Sequence, residues 1–285
     1  MFERLRSLFL PDAERFDRPF YRTLQAGLRR MAPETVRVLR GEIVSAQTAD
    51  GLFRGRSGGG DLYYTLFALT AARLFRAAID RAACRRAIEA VPFDTLDVVH
   101  AAATIRIRRL LHLPIPNGWF DRLPALPSAA FPQGDPDAPY ARFLLATLFR
   151  DFGRRLPPAD LAGYRTQDGG FTNVKGSVKP VAAATTAALY LLTPDERRQP
   201  ANALRALQSP EGGFRALPDA PQGDLLSTAT AAFALHRHGF TPRYPTRPFL
   251  RACFRETGLF AATPDDPGGD LEYTLYGLLL MGMTP

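Results

Sequence analysis

With 285 residues, 46% hydrophobic and 22% charged, the chain is long enough for one large core and has the composition of a soluble globular protein. No apolar run reaches the ~20 residues that span a bilayer, so no transmembrane segment is expected. Net charge is +8, but Lys175 and Lys179 are the only lysines among many arginines, and no basic block interleaves with aromatics, which excludes nucleic acid as an expected partner.

The two cysteines, Cys84 and Cys253, lie far apart on predicted outer helices and suit a reducing compartment, here read as the cytoplasm. No Cys-x-x-Cys or His-x-x-x-His spacing points to a structural metal.

Residues 1–33 read as an N-terminal helical extension. Its first residues, Met1 to Pro11, hold too short an apolar core for a signal peptide, interrupted by Glu3, Arg4 and Arg6. A helix that docks over one end of the fold is preferred to one that touches a membrane. Phe16, Phe20 and Tyr21 serve as apolar anchors, and Pro33 marks the boundary. Glu34 to Gln47 then shows helical periodicity, with Val36, Val38, Leu39, Ile43 and Val44 read as one stripe, and ends at Asp50-Gly-Leu-Phe53.

After a Gly-rich loop, Asp61 is placed as an N-cap before an all-round apolar helix, Leu62 to Ala77. The same phrase, a Gly-aromatic turn, a loop and an Asp that opens an apolar run, recurs along the chain. Inner helices are predicted to start near 61, 97, 137, 180, 224 and 270, with Pro180 in a first helical turn where the others have Asp. Outer helices are predicted at Ala82–Ala90, Pro158–Tyr164, Pro194–Ser209 and Arg247–Glu256; residues 114–132 are too proline-rich for one. No alternating strand is evident. Intervals of 36 to 46 residues that each carry two helices indicate a helical-hairpin repeat. Inner helices apolar on every side favour a closed ring over an open solenoid. The fold class is therefore all-α, an α/α toroid of about six hairpins over residues 34–285.

The Gly-Gly-Phe turns and the ending Asp270-Leu-Glu-Tyr-Thr-Leu-Tyr-Gly-Leu-Leu-Leu-Met-Gly282 resemble the protein prenyltransferase β subunits. More broadly, they resemble the repeat shared with squalene–hopene and oxidosqualene cyclases. The resemblance implies zinc ligands at Asp224, Leu226 and Tyr273, of which only the first can serve; leucine cannot coordinate and a neutral phenol is a poor ligand. Zinc is therefore not expected. The family's diphosphate-binding His falls at Pro180 and its Tyr at Ser227, while Arg215 stands two positions early. The cyclases' Asp-x-Asp-Asp acid is missing; Asp265-Asp266 sits in a Pro/Gly loop and reads as a turn. The resemblance also implies a helical partner subunit.

Positions one and four of the inner helices share a face. They supply a candidate rim: Asp61, Tyr64, His100, Tyr140, Asp224, Ser227, Asp270 and Tyr273. The ordinary reading of the Asp column is capping, and that of His100 a hydrogen-bonded core residue. Six helix N-termini at one end favour an anion, five carboxylates oppose it, and Arg54, Arg56, Lys175, Lys179 and Arg215 would restore positive charge. His112, His236 and His238 lie near helix ends. The leading expectation is a zinc-free toroid that binds an isoprenoid diphosphate or similar apolar ligand, with catalytic residues unassigned. The alternatives are a non-catalytic scaffold of the same fold, and a true prenyltransferase with an altered metal site.

Overall fold

The computed structural model describes residues 15–55, 58–127 and 135–283; the Met1–Pro11 stretch and Arg56 lie outside them. Within the described residues the chain forms twelve α-helices: α1 (Asp17–Leu28), α2 (Pro33–Ser45), α3 (Leu62–Phe75), α4 (Arg81–Glu89), α5 (Val98–Leu110), α6 (Trp119–Arg122), α7 (Pro139–Asp151), α8 (Ala182–Leu191), α9 (Arg198–Ala206), α10 (Leu225–Arg237), α11 (Arg247–Ala252) and α12 (Leu271–Met283). Six of them, α3, α5, α7, α8, α10 and α12, pack each on the next, and α12 packs back on α3. The ring is closed. The fold is an all-α toroid.

Local chemistry explains where the inner helices begin. Asp61, Asp97, Asp224 and Asp270 each turn a carboxylate oxygen back onto the free amide three residues on, at 2.8, 2.9, 2.7 and 2.7 Å. Such caps contribute about 1 kcal/mol each. Two starts differ from expectation. Asp137 is not a cap: α7 begins at Pro139, and the amide of Tyr140 donates to Asn173 Oδ1 at 3.1 Å, a side chain from the following loop. Pro180 lies before α8 rather than in its first turn, because the helix opens at Ala182 behind Val181.

Neighbouring repeats complete these termini. The first helical amides of α5, α8 and α10 donate to carbonyls in the next repeat: Val98 to Pro127 at 2.8 Å, Ala182 to Ala216 at 2.9 Å and Leu225 to Ala262 at 2.8 Å. Each repeated aromatic turn is also tied to the helix after it. The amides of Phe53, Phe171, Phe214 and Phe260 donate to the hydroxyls of Thr65, Thr185, Thr228 and Thr274 at 2.9, 2.9, 2.8 and 3.2 Å. The turns themselves are small antiparallel hairpins. Strand β1 (Phe53–Arg54) pairs with β2 (Gly60–Asp61), and the same bridge recurs as Phe214↔Asp224 and Phe260↔Asp270. Two-residue strands have no alternation to read.

The outer layer is more broken than its sequence suggests. Pro158–Tyr164 reduces to a 3₁₀ turn, Ala162–Tyr164, since consecutive prolines remove two amides. The expected helix at Arg247–Glu256 stops at Ala252. In the proline-rich stretch after α5, one turn of helix (α6) still forms, and Trp119 stacks on Phe93 with ring centroids 4.0 Å apart.

Helix α1 lies along α12. Glycines permit the approach: a Cβ on Gly27 would fall 2.0 Å from the Leu278 carbonyl oxygen, and one on Gly282 2.0 Å from that of Thr23. The free cysteines are buried, and burial pushes the thiol of Cys84 up to about 11 and that of Cys253 to about 12. No helix among the described residues is long and apolar enough to cross a membrane.

Candidate functional site

The ring encloses a cavity of about 1340 Å³. Its wall follows one register. Counted from the N-cap residue as one, positions three, seven and ten face it: Tyr63, Phe67 and Thr70 on α3, Tyr140, Leu144 and Thr147 on α7, Ala183, Ala187 and Tyr190 on α8, and Leu226, Thr230 and Phe233 on α10. Tyr276 and Leu279 continue the pattern on α12, and Arg106 on α5. Residues three and four apart share a face, so a 3-7-10 spacing makes one stripe per helix.

The sequence-derived rim lies one residue away from this stripe, which on a helix is about 100° of rotation. Of the twelve described rim and loop candidates, Tyr140 alone lines the cavity. It does so because α7 starts later than Asp137 suggests, which moves Tyr140 to position three. Asp61, Asp224 and Asp270 are caps, and Tyr64, Ser227 and Tyr273 are the residues whose amides they hold. Burial raises the pKa of Asp224, against hydrogen bonds that favour its charged form. His100 is held between two helix starts, with Nδ1 2.8 Å from Asp97 Oδ2 and Nε2 3.8 Å from Asp61 Oδ2.

The described basic candidates are each engaged by a local partner. Arg54 donates to the Ser45 carbonyl at 2.7 Å and Arg215 to that of Pro218 at 3.1 Å. Lys175 pairs with Asp135 at 3.1 Å, and Lys179 with Asp219 at 2.6 Å. The zinc positions implied by resemblance do not suit the ion either. The Asp224 carboxylate caps α10, Leu226 presents hydrocarbon to the cavity, and Tyr273 follows a separate helix start.

Two features, one behind the cavity wall and one within it, escape a reading by position one and four. At the end where the inner helices begin, the buried carboxylate of Glu272 accepts from the Tyr63 hydroxyl at 3.1 Å. Burial first, and then the neighbouring tyrosines and Glu272, hold the Tyr63 and Tyr276 phenols well above their usual pKa; burial pushes Tyr140 up to about 12. The available signal is a lone Glu at position three of an otherwise apolar helix.

At the opposite end, where the inner helices finish, seven of the described arginines line the cavity (Arg15, Arg18, Arg22, Arg73, Arg106, Arg109 and Arg154) against Asp17 and Asp121. The start of α1 is clamped there. The Asp151 carboxylate, fully buried at the end of α7, accepts from the amides of Phe16 and Asp17 at 2.9 and 3.1 Å and pairs with Arg106 at 2.7 Å. Asp17 lies 3.0 Å from Arg15 and 3.1 Å from Arg109. Burial pushes the Asp17 carboxyl up, but its bond to Arg15 and the charges of Arg109 and Arg106 hold it below the usual range. Phe16 reaches the cavity wall, with ring centroids 5.4 Å from Phe143, 5.6 Å from Tyr190 and 6.0 Å from Phe233. Phe16 and Phe20 are legible as apolar anchors in sequence; the ring interior is what they anchor to.

No protein-family model matches this chain, and no curated protein matches it. Among solved structures it is similar to Candida albicans protein geranylgeranyltransferase-I complexed with GGPP, at 12% identity and a TM-score of 0.41 over 97% of this chain and 87% of that one. The cavity, rather than that likeness, speaks to function.

Proposed function

We propose that the chain binds an elongated apolar ligand, an isoprenoid or a chain of similar shape, inside the ring and without zinc. The observation that carries this reading is the cavity of about 1340 Å³ with its wall of Phe67, Leu144, Phe143, Leu226, Phe233 and Leu279. Ligand sites are commonly 300–1,000 Å³ and mostly apolar with a few polar groups. The arginines at one end suit an anionic head such as a diphosphate, so the anion is assigned there and not to the loops that carry Lys175, Lys179 and Arg215. Among the described residues, seven arginines at this end against Asp17, Asp121 and the Asp151 carboxylate that pairs with Arg106 are the basis for this orientation.

A second reading is a ring that serves as a scaffold and takes no ligand. One feature favours it: Phe16, from the chain's own lead-in, already packs against three rings of the cavity wall. Calorimetric titration separates the two. Saturable, one-to-one binding of a C15 or C20 isoprenoid diphosphate, weaker for the neutral alcohol and weaker at high salt, supports the first. No heat and no thermal shift with diphosphate, alcohol or hydrocarbon of C10 to C20 length would leave the scaffold.

A further inference from the structure

Beside the cavity, where α3 finishes, lies a second and smaller groove of about 470 Å³. It runs between α1, α2 and the last turn of α3, and both α1 and α2 pack on α3. Arg29, Arg40, Arg73 and Arg76 line it, with no carboxylate in the described wall. None of the four pairs with an acid among the described residues. Two of the guanidiniums are fixed by contacts. Arg40 Nε donates to the Phe75 carbonyl at 2.6 Å, and Arg73 lies over the Tyr21 ring, its guanidinium carbon 5.1 Å from the centroid. Arg76 ends α3 in the left-handed conformation, φ 57°, a place that glycine fills more readily. A helix C-terminus attracts cations, but it carries only about half an elementary charge, and Arg40 already answers one of its carbonyls. Four guanidiniums exceed that demand. The arginines of the cavity wall are balanced differently: Asp17 meets Arg15 and Arg109, and Asp151 meets Arg106.

Tyr21, Gln25 and Arg73 line both the groove and the cavity, so the two adjoin across α1 and the end of α3. A concave surface of one sign, with no acid to neutralise it, focuses potential and concentrates an anion. The planar fork of arginine matches the oxygens of a phosphate. We propose that this groove is the anion subsite: it binds the phosphate or diphosphate head of a ligand whose apolar chain lies in the ring, with Arg73 at the junction. This rests on the proposed binding within the ring. It moves the head from arginines that Asp17 and Asp151 already balance to four that no acid meets, one on the lead-in and three on the helices of the first repeat. The groove therefore reads the charge of the head, and a neutral hydroxyl on the same chain gains nothing from it.

The test is a matched pair of probes, a C20 isoprenoid diphosphate and the alcohol of the same skeleton, titrated against the full chain and two double variants. Arg29→Gln with Arg76→Gln removes two groove cations whose side chains are exposed, so the fold is expected to persist. Arg198→Gln with Arg251→Gln, also exposed and outside both linings, lowers the net charge equally. The native chain is expected to prefer the diphosphate. The groove variant is expected to lose ~10-fold or more in diphosphate affinity and to show a shallower salt dependence. Its affinity for the alcohol is expected to stay unchanged, which also shows that the variant folds. The control variant is expected to bind both probes as the native chain does. Native diphosphate affinity in the groove variant, an equal loss in the control, or no native preference for the diphosphate over the alcohol overturns the groove while leaving cavity binding intact. If the native chain binds neither probe, cavity binding itself fails and the subsite with it.

Discussion

The amide of Phe16 donates to the carboxylate of Asp151 across 2.9 Å, which fastens the entrance of α1 to the last residue of α7. The same carboxylate is fully buried and also holds the Asp17 amide and Arg106. Asp151→Ala leaves a partly buried guanidinium and two amides unanswered, and is expected to lower stability by ~3 kcal/mol. Asp151→Asn, which keeps an acceptor, is expected to cost less. Urea denaturation monitored by far-ultraviolet circular dichroism measures both; a loss under ~1 kcal/mol for the alanine variant would mean that the latch carries no weight.

Small residues on α8 keep the cavity open. Ala183 lines it and is only partly buried, so Ala183→Phe should place a ring where ligand is proposed to lie. The expected result is at least a ~10-fold loss of isoprenoid affinity with little change in melting temperature. Unchanged affinity would move the ligand out of the ring.

The repeat threonines answer a buried amide in each aromatic turn. Thr228 Oγ1 accepts from the Phe214 amide at 2.8 Å and donates to the Asp224 carbonyl at 2.6 Å. Thr228→Val keeps the shape and removes both bonds, at an expected cost of ~1–3 kcal/mol. Thr228→Ser should recover most of it. Equal midpoints for the valine and serine variants in chemical denaturation would contradict this role.

His238 supplies a pH dependence. Burial, and then the charges of Arg197, Arg237 and Arg150, lower its pKa from 6.5 to about 4. The unfolded chain takes up a proton near pH 6.5 while the folded chain does so only near 4, so between those values the unfolded state binds more protons. Stability therefore falls as pH drops from about 6.5 toward 4 and is insensitive to this group above 6.5. His238→Gln should flatten that part of the profile relative to the native chain. A difference between the two that stays constant from pH 7 to 4 would rule the group out.

The helix starts are legible in sequence where the cap is local: Asp61, Asp97, Asp224 and Asp270 bond amides no more than three residues away. The third start is not, because the α7 cap is Asn173, 33 residues downstream of the amide it holds. The cavity face is harder still. An inner helix such as α8, apolar nearly throughout, offers no polar side from which to infer rotation, so a face one residue off satisfies the pattern equally well. Once the caps are known, the 3-7-10 stripe follows by counting. The threonine column is also present in the sequence, at Thr65, Thr185, Thr228 and Thr274, fixed at the fifth position of its helix; only the bond to the preceding turn shows what it is for.

The bonds from Val98 to Pro127, Ala182 to Ala216 and Leu225 to Ala262 have a consequence for how the molecule melts. No hairpin joined in this way can finish its own inner helix; each needs the loop of its successor. Open repeat arrays fray from their ends, losing units one after another as neighbours detach. Here the last inner helix lies against the first, so there is no free end from which fraying can begin. Opening any one joint strands an amide in one repeat and a carbonyl in the next. The expected behaviour is a single cooperative transition across all six hairpins, with slow hydrogen exchange of the Val98, Ala182 and Leu225 amides reporting the same global free energy.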